Sequence, residues 1–304
     1  MLSIDPHAIP TAKLHAYLLS SVAPRPICFA STVDAEGNVN LSPYSFFNVF
    51  GSNPTTLIFS PSRRVRDNTI KHTLENIKET MEVCINVVNH DMVWQMSLAS
   101  TEYAKGVNEF VKSGFTELPS EVIKAPRVKE SPVQIECKVR DIIETGQEGG
   151  AGNLVICEIL RMHINEEVLD ADGKIDQNKI QLVARLGADW YCKAYGDALF
   201  EIEKPVRNKG IGYDQLPEFI RFSSFLTGNQ LGQLANVEAI PGDDLVAEFE
   251  QSEFAKDMVK RFAHHTDSLE YELFEAAKHF LAKHEVVNAW LCLLFFDKAK
   301  KPGT

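Results

Sequence analysis

The apolar positions of the first two hundred residues mostly follow a period of two, and those of the last hundred follow a helical period. Residues 27–33 alternate and are rich in β-branched and aromatic side chains, which predicts a strand, and Asp34-Ala35-Glu36-Gly37 predicts the turn after it. A second extended run, 39–50, is interrupted by Pro43, which cannot donate to a sheet ladder and so predicts an edge or a bulge. A third run is 56–60. Residues 11–20 predict a short helix, and 69–80 a second one with Ile70, Leu74 and Ile77 on one face. A strand at 82–88 and a short helix at 91–99 come next. The stretch 100–131 is loop-like, with a helical turn at 107–112. Long strands are expected at 132–143 and 153–165, and the glycine-rich 146–152 between them predicts a hairpin. A final short strand is expected at 181–186. Many strands with few helices between them predict an antiparallel barrel rather than a parallel α/β sheet.

The pattern changes after Pro205. Residues 230–235, 245–262 and 269–283 predict helices, with Phe254, Met258 and Phe262 on one face and Asp267 with Glu270 as a capping box. The expected division is therefore a β-rich domain at 1–204 and a helical extension at 205–304, roughly a hundred residues and so within the size range of a small domain.

Composition narrows the function classes. The chain has 304 residues, 44% hydrophobic and 24% charged, as ordinary globular proteins do. A net charge of −11 argues against a nucleic-acid partner, although local basic clusters can still hold an anion. The first residues lack the basic head and apolar run of a signal peptide. The longest apolar stretch, 289–296, falls far short of the roughly 20 residues that span a bilayer. The 6 cysteines are dispersed without a CxxC pair and read as small buried hydrophobes. The expectation is a cytoplasmic protein without a membrane partner.

The order strand, turn, proline-broken strand and strand over 25–61 resembles the opening of the flavin reductase-like, FMN-binding split-barrel family, which includes flavoredoxins and the reductases that serve flavoprotein oxygenases. The likeness extends over about 10–200, through the 60–73 segment leading into Leu74-Glu75-Asn76-Ile77 and the late Arg185-Leu186-Gly187 with Tyr191. The family usually has a second glycine where this chain has Ala188. The resemblance implies a mainly β (α+β), antiparallel FMN-binding split β-barrel with peripheral helices and the helical extension behind it. It also implies a loop, 41–47, that runs along the flavin ring, and a homodimer with flavin sites near the interface.

FMN needs cations, hydroxyls and backbone amides for its phosphate, and a flat slot with polar groups at one edge for its ring. Segment 60–73 contains all the phosphate groups, and Ser60, Ser62, Arg63, Thr69, Lys71 and Thr73 are the candidates. Read alone, that segment is either a phosphate site or a solvated basic loop. Beside the 41–47 loop the first reading is favoured. Asn40, Ser42, Ser45 and Phe46 are the ring candidates, with barrel core as the other role for either of Phe46 and Phe47. Arg185 and Tyr191 are either flavin neighbours or a structural arginine and a core tyrosine. His72 is a ligand neighbour or a cap.

Other patterns carry less. Asp170-Ala171-Asp172-Gly173 has its glycine too early for a calcium loop and reads as a hairpin turn. The glycines of 149–152 and 210–212 lack a strand–GxGxxG–helix context. His264 and His265 diverge by about 100° on a helix and make a poor metal pair. In 209–237 a packing appendage at a dimer interface is the favoured role, and closure of Asn229 over a partner's flavin is the sharper one. By resemblance, the first function hypothesis is an FMN-dependent reductase that takes hydride from NADH or NADPH and passes electrons to oxygen, an oxygenase or another acceptor. The second is an FMN electron carrier with no NAD(P)H site, and the third a flavin-free interaction module.

Overall fold

The computed structural model describes residues 1–202, 209–262 and 266–300. The expected 204/205 boundary and the His264–His265 pair lie outside the described residues. The chain divides into two compact units, Met1–Phe200 and Glu201–Thr304.

The first unit opens with α1 (Thr11–Ser21), β1 (Arg25–Pro26) and β2 (Cys28–Val33). The expected proline-broken run is two strands, β3 (Val39–Tyr44) and β4 (Phe47–Ser52), followed by β5 (Thr55–Phe59). Next come α2 (His72–Thr80), β6 (Glu82–Val87), α3 (Val93–Ala99), α4 (Glu109–Ser113), β7 (Glu117–Leu118) and β8 (Arg127–Val128). The hairpin strands are β9 (Val133–Glu144) and β10 (Asn153–Ile164), and the unit ends with α5 (Gln177–Ile180), β11 (Val183–Arg185) and β12 (Tyr191–Lys193). α5 and β12 carry too few apolar positions to show a period and were not expected.

The seven-stranded sheet runs β3-β2-β6-β9-β10-β5-β4, and a three-stranded sheet runs β1-β11-β12. Every pair in them is antiparallel. β3 is an edge of the larger sheet, which explains how Pro43 is tolerated in it. β2 is buried along its whole length. Its Cys28 and Ala30 join a core covered by Leu74 and Ile77 of α2, while Ile27 and Phe29 join a second core with Met96 and Phe110 of α3 and α4. The period of two thus feeds two cores. The expected turn at 170–173 forms, with Gly173 N donating to Asp170 O. Five cysteines are buried and Cys192 is half-buried. Burial pushes the Cys84, Cys157 and Cys292 thiols up to about 12.

One buried charge holds the 121–123 part of the long 100–131 segment. The Glu136 side chain is 0% exposed and accepts from the backbone N–H groups of Glu121, Val122 and Ile123. His163 Nε2 lies 2.7 Å from its Oε1. Burial opposes the charge, yet the Glu121 and Val122 amides and His163 outweigh it and hold the carboxyl below its usual range.

The second unit contains α6 (Glu218–Arg221), α7 (Gly228–Ala235), α8 (Asp243–Glu250), α9 (Glu253–Phe262), α10 (Thr266–Ala282) and α11 (Val286–Lys300). Thr227 and Gln230 form a capping box at α7. The expected continuous helix over 245–262 breaks between α8 and α9, where Ser252 Oγ accepts from Ala255 N and caps the new start. α10 starts at Thr266, so Asp267 lies inside its first turn and is not the cap. α11 went unpredicted because it is apolar on every side. It is the core of the unit, with Trp290 fully buried and its indole N–H donating to Leu234 O at 3.0 Å. Among the described residues no helix is long and apolar enough to cross a membrane.

Candidate functional site

The β3–β4 corner forms a ridge between two clefts. A cleft of about 620 Å³ is lined by Pro24, Arg25, Ser45, Phe46, Phe50 and Ser60 among others, and one of about 180 Å³ by Tyr44, Ser45, Met96, Ser100, Arg185 and Tyr191 among others. Ser45 faces both. The larger lies within the roughly 300–1,000 Å³ of small-molecule and cofactor sites. Phe46 is 40% exposed on its wall, which fits a packing surface better than barrel core. Tyr44 instead turns into the core, tilted against Phe59 at 5.2 Å, and burial pushes its phenol upward. Ser42, facing Ala30 in the β2 ladder, is half-buried.

Arg25 has no strong local signal beyond its two flanking prolines, and it was missing from the sequence candidates. Its guanidinium is buried and donates to Leu19 O, Val22 O and Leu186 O, with Nε 3.4 Å from Ser45 Oγ. It therefore ties the end of α1, the ridge and the 186–190 turn into one wall.

The basic segment is folded against itself. Arg63 donates to Asn68 Oδ1 at 2.7 Å and to its carbonyl at 3.0 Å. Arg64 donates to Thr69 Oγ1, Ile70 O and Glu102. The other carboxylate oxygen of Glu102 takes Arg66 at 2.8 Å. Thr69 donates its hydroxyl and amide to Asp67, whose carboxyl is held down to about 2. The pairing of Arg64 and Arg66 with Glu102 was invisible in sequence, because 38 and 36 residues separate the partners.

Lys71 differs from these. Among the described residues it has no carboxylate within 4.0 Å, and its ammonium stands 5.0 Å from the Tyr44 ring centroid. Burial, and then the charge of Arg64, lower its pKa. It occupies the N-cap position of α2, which has no side-chain cap. The sequence places the helix start at 69; it starts at His72, which leaves 69–71 outside the helix and puts an extended Lys71 at the positive end of the dipole. An uncapped helix start beside an unpaired half-buried cation suits an anion. Ser62 lies nearby in sequence, its hydroxyl 3.3 Å from that of Ser60, and Ser60 also accepts from Asn153 N. Thr73 and Asn40 are turned inward: both are buried, and the Asn40 amide donates to Thr73 Oγ1 at 2.9 Å, joining β3 to α2.

Arg185 stacks over Tyr191 at 4.5 Å from its ring centroid and donates to Ala188 O. The structure thus brings this pair to the smaller cleft, in register with Arg25 across β1–β11. Gly187 is needed for close approach, since a Cβ there would come within 3.0 Å of the Ser20 backbone. Ala188 has φ of 49°, in the left-handed region, which costs about 1 kcal/mol for an L-residue. Ala188→Gly should remove that strain and loosen the unfolded chain by a smaller amount, for a net gain of about half a kcal/mol in urea unfolding. A lower urea midpoint for the variant would contradict this account.

Comparison with known proteins bears on the fold that carries this site. Residues 20–179 match the flavin reductase like domain. An uncharacterized protein of Aquifex aeolicus is 34% identical over 62% of this chain and 94% of its own length. Nitrilotriacetate monooxygenase component B from Bacillus cereus superposes with a TM-score of 0.62 at 29% identity, covering 66% of this chain and 98% of that one. The flavoredoxin of Desulfovibrio vulgaris superposes with a TM-score of 0.51 at 25% identity, over 59% of this chain and 91% of that one. The antiparallel sheet, the matched residues and these neighbours lead to one conclusion: the chain belongs to the flavin reductase-like domain family and has its split-barrel fold, followed by helices.

Proposed function

We propose that this chain is an FMN-dependent oxidoreductase of the flavin-reductase type, with NADH or NADPH as donor and oxygen, an oxygenase or another acceptor downstream. The observation that carries this reading is Lys71, a half-buried cation with no carboxylate partner among the described residues, at a helix start without a side-chain cap and next to a ridge whose larger cleft has the volume of a cofactor site. The residues fit the group. Lys71, Ser62 and the first amides of α2 would hold the phosphate, Ser45 and Arg25 would meet the polar edge of the ring, and Phe46 would pack against it. Bound FMN supplies hydride acceptance and onward electron release, while the chain supplies orientation and electrostatics. No side chain need act as an acid or base.

The wider reading is a cytoplasmic homodimer. Its support in this chain is the edge strand β4, where Val49 and Phe50 are 60% and 65% exposed and Phe50 also lines the larger cleft. The likeness to a flavoredoxin supports a second reading, an FMN electron carrier reduced by a protein partner. An anaerobic visible spectrum of the protein with FMN, followed as NADH or NADPH is added, separates the two. Rapid bleaching is the expected result. A bound flavin that stays oxidised until dithionite arrives would favour the carrier, and failure to bind FMN would end both.

A further inference from the structure

We infer that the tip of the β9–β10 hairpin, residues 146–152, is a positioning element for flavin phosphate recognition, and that Gly149 is the residue on which it depends. The inference rests on the FMN reading above. A Cβ at Gly149 would lie 3.1 Å from Arg64 O, 3.1 Å from Val65 O and 3.3 Å from Val65 Cα. All three are backbone atoms, so no rotamer change can relieve the contact. Two main-chain bonds stitch the same surfaces together: Arg63 N donates to Ala151 O at 2.9 Å, and Gly150 N donates to Arg63 O at 3.0 Å. Farther along, Asn68 Nδ2 donates to Gln147 O at 3.0 Å, while its own side-chain oxygen holds Arg63. At the base, Asn153 donates its backbone N–H to Ser60 Oγ and its side-chain amide to Pro61 O.

The hairpin therefore grips the basic segment from Ser60 to Asn68. Arg64 is the link to the ligand. It bonds Thr69 and Ile70, the residues immediately before Lys71. A side chain at Gly149 would push the 64–65 backbone by a few tenths of an ångström and, through Arg64, shift Lys71 relative to a bound phosphate. Among the described residues no hydrogen bond joins the tip to Ser45 or Phe46, so the isoalloxazine wall should stay in place. Gly149 is thus a positioning residue for a phosphate monoester, acting through Arg64.

The test compares FMN with riboflavin, which lacks the phosphate, by quenching of flavin fluorescence on the full chain. In Gly149→Ala, FMN affinity should fall about tenfold, the scale of one displaced charge-assisted contact, while riboflavin affinity is unchanged. Asn68→Gly keeps the left-handed backbone that Asn68 adopts, with φ of 55°, and removes the amide. It should show the same selective loss, and it decides the matter if Gly149→Ala does not fold. A preference for FMN that survives both substitutions, or an equal loss for the two flavins, overturns the inference alone. A wild-type chain that binds FMN no more tightly than riboflavin overturns the phosphate reading and this inference with it.

Discussion

Replacing Lys71 with methionine should weaken FMN binding by about 10- to 100-fold and leave riboflavin binding unchanged. Hydrogen bonds to charged groups are worth about 1.5–3 kcal/mol, and each 1.4 kcal/mol is tenfold in affinity. The basis is the contrast among the cations of the segment. Arg64 and Arg66 are held by Glu102, and Arg63 is held by Asn68, so a phosphate has to compete for them. Lys71 has no such competitor among the described residues, and burial already lowers its pKa. An arriving dianion relieves that burden, which is why the lysine should contribute more to binding than the more exposed Arg66. Two side effects check the argument. The ligand-free variant should melt no lower than wild type, since it loses an uncompensated half-buried charge. FMN affinity of the wild type should also decline on the alkaline side at a lower pH than an ordinary lysine would give. Equal losses for FMN and riboflavin would show that Lys71 shapes the cleft rather than reading the phosphate.

Glu136→Ala should destabilise the first unit by about 3–5 kcal/mol, the scale for removing one partner of a buried charged network. The variant leaves the Glu121, Val122 and Ile123 amides without an acceptor and His163 without its 2.7 Å partner. For a unit of this size the melting temperature should drop on the order of 10 °C. The sign with pH follows from the lowered carboxyl. Its folded pKa lies below the unfolded one, so the stabilisation is complete above the ordinary carboxylate range and is lost as pH falls through the folded pKa. Wild-type stability should therefore decline below about pH 4 with a component that Glu136→Gln lacks. A melting curve for Glu136→Ala within 2–3 °C of wild type would mean that the 119–125 loop is held by other contacts. Flavin affinity is a useful second readout, since this network lies away from both clefts.

Much of the first unit was legible because its signals are local. The alternation of 27–33, the turn chemistry after Val33 and the glycines between two long apolar runs each act within a few residues, where side-chain period and backbone preference decide the outcome. The helical tail was legible where its helices are amphipathic, as along Phe254, Met258 and Phe262. It fails at α11, whose 289–296 stretch is apolar on every side and so has no polar face to mark a period. The break at Ser252 was missed for a different reason: one capping hydroxyl outweighed a continuous apolar stripe.

Local pattern suffices for the antiparallel β character of the first unit, the helical character of the second and the concentration of cations before α2. The residue types that could meet a flavin were likewise visible, because composition and short-range spacing carry them. The folded arrangement selects which of those groups remain available. It paired Arg64 and Arg66 with a carboxylate from a distant loop, turned Asn40 and Thr73 toward each other, and left Lys71 over the Tyr44 ring without a carboxylate partner among the described residues. It also brought Arg25 to Leu186 across 161 positions and Gly149 beneath Val65. Such contacts depend on how strands are ordered in the sheet. The free energy of each arises between segments far apart in the chain, and no local pattern of residues encodes it.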